Sequence, residues 1–288
     1  MKTLRFIGMA LSAVILSVNF AACSDDDEDV QGGDTSITQK YIVSQTFISH
    51  YPNQANNEYS ATASYDENNR LSRINDMVGD DYDGWNKATI IFDYDNFKIS
   101  YKDDSHGLWD TEFSFKMNES GCITEMTEIP TGDKSAFTYD KENHLVSSTY
   151  YNAAGKYTET STQTWQDGNL VRGEADCHDR QSSFYIKYSN LINKGNIQPY
   201  YGLVNNSLWR IFPTERIGNI LMSSGLFGKL SRNLPSQISS ISIDQYGNDS
   251  WTDNYTYQLD LRGFVSSVTA TSDNENNGTW TGSFFYKE

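Results

Sequence analysis

The sequence predicts an all-β fold: an antiparallel meander of hairpin repeats, bent into a strongly curved sheet or partial barrel, with one helical insert. Three observations predict it. Aromatic residues start short strand-like runs at Tyr65, Phe92, Phe115, Tyr139, Trp165 and Tyr188, with steps of 27, 23, 24, 26 and 23 residues. A period of this size signals a repeated supersecondary unit. Between runs the same turn chemistry returns: a Gly or Asn, one intervening residue, then an apolar residue. The copies are Asn69-Arg70-Leu71, Gly121-Cys122-Ile123, Asn143-His144-Leu145, Gly168-Asn169-Leu170 and Gly263-Phe264-Val265. Gly and Asn tolerate the positive φ that tight hairpins require. The third observation is a break in the pattern, over residues 189–235.

Residues 1–22 read as a lipoprotein signal peptide. Lys2 and Arg5 form a positive head, Phe6 to Val18 a nearly unbroken apolar run, and Phe20-Ala21-Ala22 precede Cys23. Small residues before a cysteine suit cleavage and lipidation there. The apolar run is short for a membrane-spanning helix. Residues 23–36 are then a lipidated acidic tether. Ser24, Asp25, Asp26, Asp27, Glu28 and Asp29 follow the cysteine. This block resembles the acidic export signal of Bacteroidetes-type lipoproteins, which implies display on the outer face of the outer membrane. Read as composition alone, it is a solvated acidic spacer.

Residues 37–288 form one domain, because no Pro- or Gly/Ser-rich linker divides them. Thr, Ser, Tyr and Phe dominate between the turns, as half-exposed strands require. Tyr65-Asp66 with Asn69-Arg70-Leu71, and Tyr139-Asp140 with Asn143-His144-Leu145, resemble the tyrosine–aspartate hairpin repeats of bacterial surface proteins. Those repeats usually carry Gly where this chain has Asn69 and Asn143. More broadly, the domain is similar to a family of Bacteroidetes outer-membrane lipoproteins described as porin-like. That resemblance implies a β fold and an address, and brings no catalytic residues with it. An integral porin is not expected, since the strands are polar on both faces too often for a lipid-facing band.

The insert, residues 189–235, has helical character. Thr214 can cap a helix, Ile217, Ile220 and Leu221 carry helical spacing, and Gly225 can end it. Its charges are Lys194, Arg210, Arg216, Lys229 and Arg232 against one acid, Glu215, in a chain of net charge −16. The expectation is a plug on the inner face of the sheet. Leu208, Trp209, Ile217, Leu221 and Phe227 should be buried, with Arg210, Arg216, Lys229 and Arg232 beside acids of neighbouring hairpins.

The charge excludes nucleic acid as a partner, because phosphate binding needs a basic footprint. No catalytic residue, cofactor or metal is expected. His50, His106, His144 and His178 sit in no ligand or nucleophile motif, and His144 should be exposed at its turn. Cys177-His178-Asp179 alternates across a strand, which suits shared ligation poorly. Asp81-Asp83-Gly84 and Asp273-Glu275-Asn277-Gly278 each match only part of a calcium loop, and Asn277-Gly278 is equally a hairpin turn. Cys122 and Cys177 either pair or stay separate and buried. Trp85 and Trp109, in acidic loops, and Trp209, in the insert, are the candidate ligand-binding residues; Trp165 and Trp251 should pack in the core.

These features imply a surface binding or interaction module, for a glycan or an outer-membrane protein partner. The alternative is a carrier of a small apolar ligand in a barrel-like cavity, with the insert as lid. A glycosidase-type enzyme ranks third, resting only on the abundance of acids.

Overall fold

In the computed structural model, the described residues are 41–50, 56–79, 87–103, 110–177, 180–197, 214–244, 247–273 and 278–287. Sixteen strands follow in order: β1 (Ile42–His50), β2 (Asn57–Tyr65), β3 (Leu71–Gly79), β4 (Lys87–Asp93), β5 (Lys98–Asp103), β6 (Thr111–Met117), β7 (Ile123–Glu128), β8 (Lys134–Tyr139), β9 (Leu145–Tyr151), β10 (Tyr157–Gln166), β11 (Asn169–Cys177), β12 (Arg180–Ile192), β13 (Asn233–Asp244), β14 (Gly247–Leu259), β15 (Val265–Ser272) and β16 (Thr279–Tyr286). One helix, α1 (Thr214–Ser223), lies between β12 and β13. Each strand pairs antiparallel with its neighbours in sequence, and β16 returns to pair with β1, for example Phe47↔Gly282. The sheet is therefore a fully closed barrel, where the sequence left open a curved sheet or partial barrel. Closure removes every free edge.

Alternation sets the two faces of the wall. On β6, Phe113 and Phe115 point inward and are buried, while Glu112, Ser114 and Lys116 are exposed. On β11, Gly173 and Ala175 are buried while Arg172, Glu174 and Asp176 are exposed. The interior is one apolar cluster including Ile74, Ile90, Phe113, Met126, Phe137 and Val268. A charged side chain facing bilayer mid-plane costs about 2–4 kcal/mol, so Glu112, Lys116, Arg172, Glu174 and Asp176 each oppose burial of these two outer faces in lipid.

The repeat has a concrete geometry. In the turns starting at Asp66, Asn118, Asp140 and Asp260, the first residue's side-chain oxygen accepts the backbone N–H groups two and four positions on. The fourth residue has positive φ: Asn69 60°, Gly121 81°, Asn143 66°, Gly263 82°. Gly168 takes the same role in a tighter turn, with Asp167 at φ 50° and Gly168 at 74°.

The periodic aromatics close strands rather than start them. Their donors reach inward to the backbone of the adjacent strand. Tyr65 donates to the Ile42 carbonyl, Tyr94 to Leu71, Tyr139 to Ile123, Trp165 to Leu145, Tyr188 to Leu170, Tyr257 to Pro235 and Tyr286 to Val265, all at 2.6–3.0 Å. Each acceptor lies in the first three residues of an odd-numbered strand, and each donor lies in the later part of the next even-numbered one or, for Tyr94, just past it. At β6 the corresponding positions are Phe115 and Met117, which have no strong donor. Phe115 instead meets Tyr94 edge-on, with centroids 6.0 Å apart. Burial raises the phenols of Tyr65, Tyr94, Tyr139, Tyr188, Tyr257 and Tyr286 well above the usual tyrosine range. They stay protonated, which keeps them donors.

Candidate functional site

The turns described above share one end of the barrel with the insert. Strand pairing runs to Ile192↔Asn233, so the departure from the sheet is shorter than 189–235. Asn193 begins it. Its side chain donates to the Ile197 and Ser231 carbonyls and accepts the Ile197 N–H, tying the outgoing chain to the returning one. α1 then lies against β1, β2 and β3. Ile217, Ile220 and Leu221 are fully buried, as helical spacing demands of one face. Ser223, in its last turn, is buried and donates to the Ile220 carbonyl at 3.1 Å.

Gly225, at φ 81°, ends the helix, and residues 226–232 cross the turn end. The crossing is fixed by backbone bonds to three hairpins. Ile123 N–H donates to the Leu226 carbonyl, Lys229 N–H to Asn143, and Arg232 N–H to Gly168, at 2.8–2.9 Å. Phe227 is buried and meets Phe137 edge-on at 5.3 Å. Gly228 has φ 88°, and an added Cβ there would run into the Asn143 carbonyl. The insert is thus a plug, with Ile217, Leu221 and Phe227 buried as expected. Leu208, Trp209 and Arg210 lie outside the described residues.

The charges of the insert do something else. Among the described residues, Lys229 and Arg232 form no ion pair with the hairpin acids. With Lys194 they border a cleft of about 430 Å³, lined also by Ser120, Asn143 and Asn196. Lys194 Nζ donates to the Arg262 carbonyl at 3.2 Å. The nearby turn acids are already engaged. At Asp140, slight burial opposes ionisation, but N–H groups of His144 and Glu142 outweigh it and hold the carboxyl below its usual range. At Asp260 the Phe264 N–H leads, with Arg262 adding to it. The side chains of Arg210 and Arg216, expected beside the same acids, lie outside the described residues. Alternation and spacing carry no signal for where a long connection returns.

One further expectation changes, and the alternative left open for the cysteines is decided. His144 is buried, stacked on Trp165 at 4.3 Å, with Nδ1 3.0 Å from Asp140 Oδ2. The Trp165 face and the Asp140 carboxylate hold its ring in place. Cys122 and Cys177 are not joined in a disulfide; Cys177 is half-buried, and Cys122 is buried beside the plug, which raises its thiol. Trp165 and Trp251 pack against the core, as expected. Cys23, Ser24 to Asp29, Trp85, Trp109, the His178–Asp179 pair and most of both acidic loops lie outside the described residues. No group of three or more metal-ligating side chains occurs among the described residues. A second concavity, of about 390 Å³, lies on the outer wall between Thr160, Glu174, Gln181, Ile241 and Ile243.

No protein-family model and no curated protein matches the sequence. The fold is similar to two solved structures. One is a porin-like protein from Bacteroides uniformis, with TM-score 0.65 and 17% identity over 85% of this chain and 98% of that one. The other is a porin-like protein from Bacteroides vulgatus, with TM-score 0.52 and 12% identity over 86% of this chain and 99% of that one. At these identities the likeness is one of fold: the chain is a closed β-barrel similar in architecture to both.

Proposed function

We propose that the protein is a lipid-anchored binding module of the outer-membrane surface, which holds a glycan in the cleft at its plugged end. The cleft carries the reading. It is concave and bordered by cations and side-chain amides, with Ile192 and Leu230 adding apolar wall, on a barrel whose described inward side chains are largely packed against one another. That packing favours an end-face site over an apolar ligand inside the barrel. The anchor would be Cys23, and Ser24 to Asp29 would direct display.

The binding test uses the Cys23→Ala protein and a panel of oligosaccharides followed by titration calorimetry. Ser120→Trp, which places a large ring at the lip of the cleft, should abolish binding. Undiminished binding by that variant would move the ligand elsewhere. The anchor is tested by fractionation: Cys23→Ala should release the protein from membranes. Replacing Asp25 to Asp29 with Ala should leave it membrane-bound but hidden from protease added to intact cells.

A further inference from the structure

We infer that the ligand of this cleft is anionic, a saccharide bearing a carboxylate or sulfate. The inference rests on the cleft being the binding site. The chain has 38 acids against 22 lysines and arginines, so a cation here has many candidate partners. Several cations elsewhere find them; others, such as Lys187 and Lys287, bond amide side chains. Arg70 pairs with Asp66 at 2.8 Å, Lys116 with Glu125 at 2.9 Å and Arg262 with Asp260 at 2.8 Å. Lys194, Lys229 and Arg232 converge on one concavity instead. Clustered like charges repel, and a bound anion relieves that repulsion.

The arrangement is set by backbone, which makes it a feature of the fold. Lys229 and Arg232 are held in place because their own N–H groups bond to the Asn143 and Gly168 carbonyls. Their side chains are left free to face the cleft mouth. A guanidinium offers a planar fork to a carboxylate or sulfate, and ammonium groups add point charge. Asn143, Asn196 and Ser120 beside them suit hydroxyl groups. That mixture favours an acidic sugar over a bare inorganic anion or a lipid headgroup.

The test compares the Cys23→Ala protein with Lys229→Gln and Arg232→Gln, each checked for an unchanged thermal midpoint. The probes are an oligogalacturonate, a sulfated chondroitin tetrasaccharide, a neutral manno-oligosaccharide and phosphatidylglycerol vesicles. Acidic oligosaccharides should bind, weaken about tenfold in either variant and weaken further as salt rises. Neutral oligosaccharides should bind at least tenfold more weakly. If neutral and acidic sugars bind alike, and Ser120→Trp abolishes both, the cleft stands and the anionic inference falls. If acidic sugars bind but ignore Ser120→Trp, both fall. Preference for the vesicles would make the ligand a membrane surface and overturn the inference.

Discussion

The short turns and the insert share one end of the barrel and are secured in opposite ways. The turns at Asp66, Asp140 and Asp260 hold themselves: a carboxylate folds back on its own backbone within four residues. The insert is held by others, through Ile123, Asn143 and Gly168. The turns are acidic and the insert is basic. The difference teaches that local hydrogen bonds make a hairpin autonomous, whereas a plug is only as stable as the ring it spans. Stability changes should therefore be larger at the plug, and pH changes larger at the turns.

Phe227→Ala should show the largest effect. Truncating a core aromatic costs about 3–5 kcal/mol, read as a drop in denaturant midpoint. A loss below 1 kcal/mol would mean the plug is loosely seated. Gly228→Ala comes next. A side chain at positive φ costs about 1–2 kcal/mol, and the Asn143 carbonyl adds a steric cost. Gly225→Ala is the control, since nothing lies within 4 Å of its added Cβ; it should cost distinctly less.

Tyr139→Phe probes the ring of aromatic donors. It leaves the Ile123 carbonyl without that donor, and an unsatisfied buried group costs about 1–3 kcal/mol. Tyr151→Phe, on an outward-facing strand position, should be nearly neutral. Equal effects would deny the ring a structural role.

The turns should respond to acid. At Asp66, slight burial opposes ionisation, but the Arg70 N–H and side chain lower the carboxyl. Asp140 and Asp260 are lowered as described above. A carboxylate lowered in the fold contributes stability that is complete above its unfolded pKa, near 3.9, and lost as pH falls through the lower folded value. Acid unfolding should therefore fall below about pH 4, and Asp140→Ala should flatten it there. Asp253 should do the reverse. It faces inward, and burial raises its carboxyl, with Asp273 adding to that against Ser272 and Tyr255. Its ionisation works against the fold at neutral pH, so Asp253→Asn should slightly stabilise there. That gain should vanish below about pH 4, where the unfolded carboxyl is also protonated. A gain that persisted in acid would assign the effect to packing.

Much of the barrel was legible because its grammar is local. Asp-x-x-Asn at 66–69 and 140–143, or Asp-x-x-Gly at 260–263, fixes a turn within four residues, and alternation such as Phe113-x-Phe115 fixes a face. Closure was not legible, since nothing within β1 or β16 names the other. The helix could be read from Ile217, Ile220, Leu221 and Gly225. The cleft could not, because Lys194 and Arg232 meet through a return path of nearly 40 residues. His144 misled for a related reason: its turn position predicts exposure, and only the neighbouring Trp165, one hairpin on, explains its burial.

The pairing of β1 with β16 has one more consequence. Lys287 N–H bonds to the Tyr41 carbonyl at 2.8 Å, so the two extremities of the barrel chain touch. The string is linear, but the object is a ring with no privileged first strand. Joining the two extremities by a short linker and cutting at Ala153-Ala154, in the exposed turn between β9 and β10, should give a circular permutant that closes the same barrel. In such a ring every hairpin is a spoke, and the order in which a ribosome delivers them is an accident of where the gene was opened.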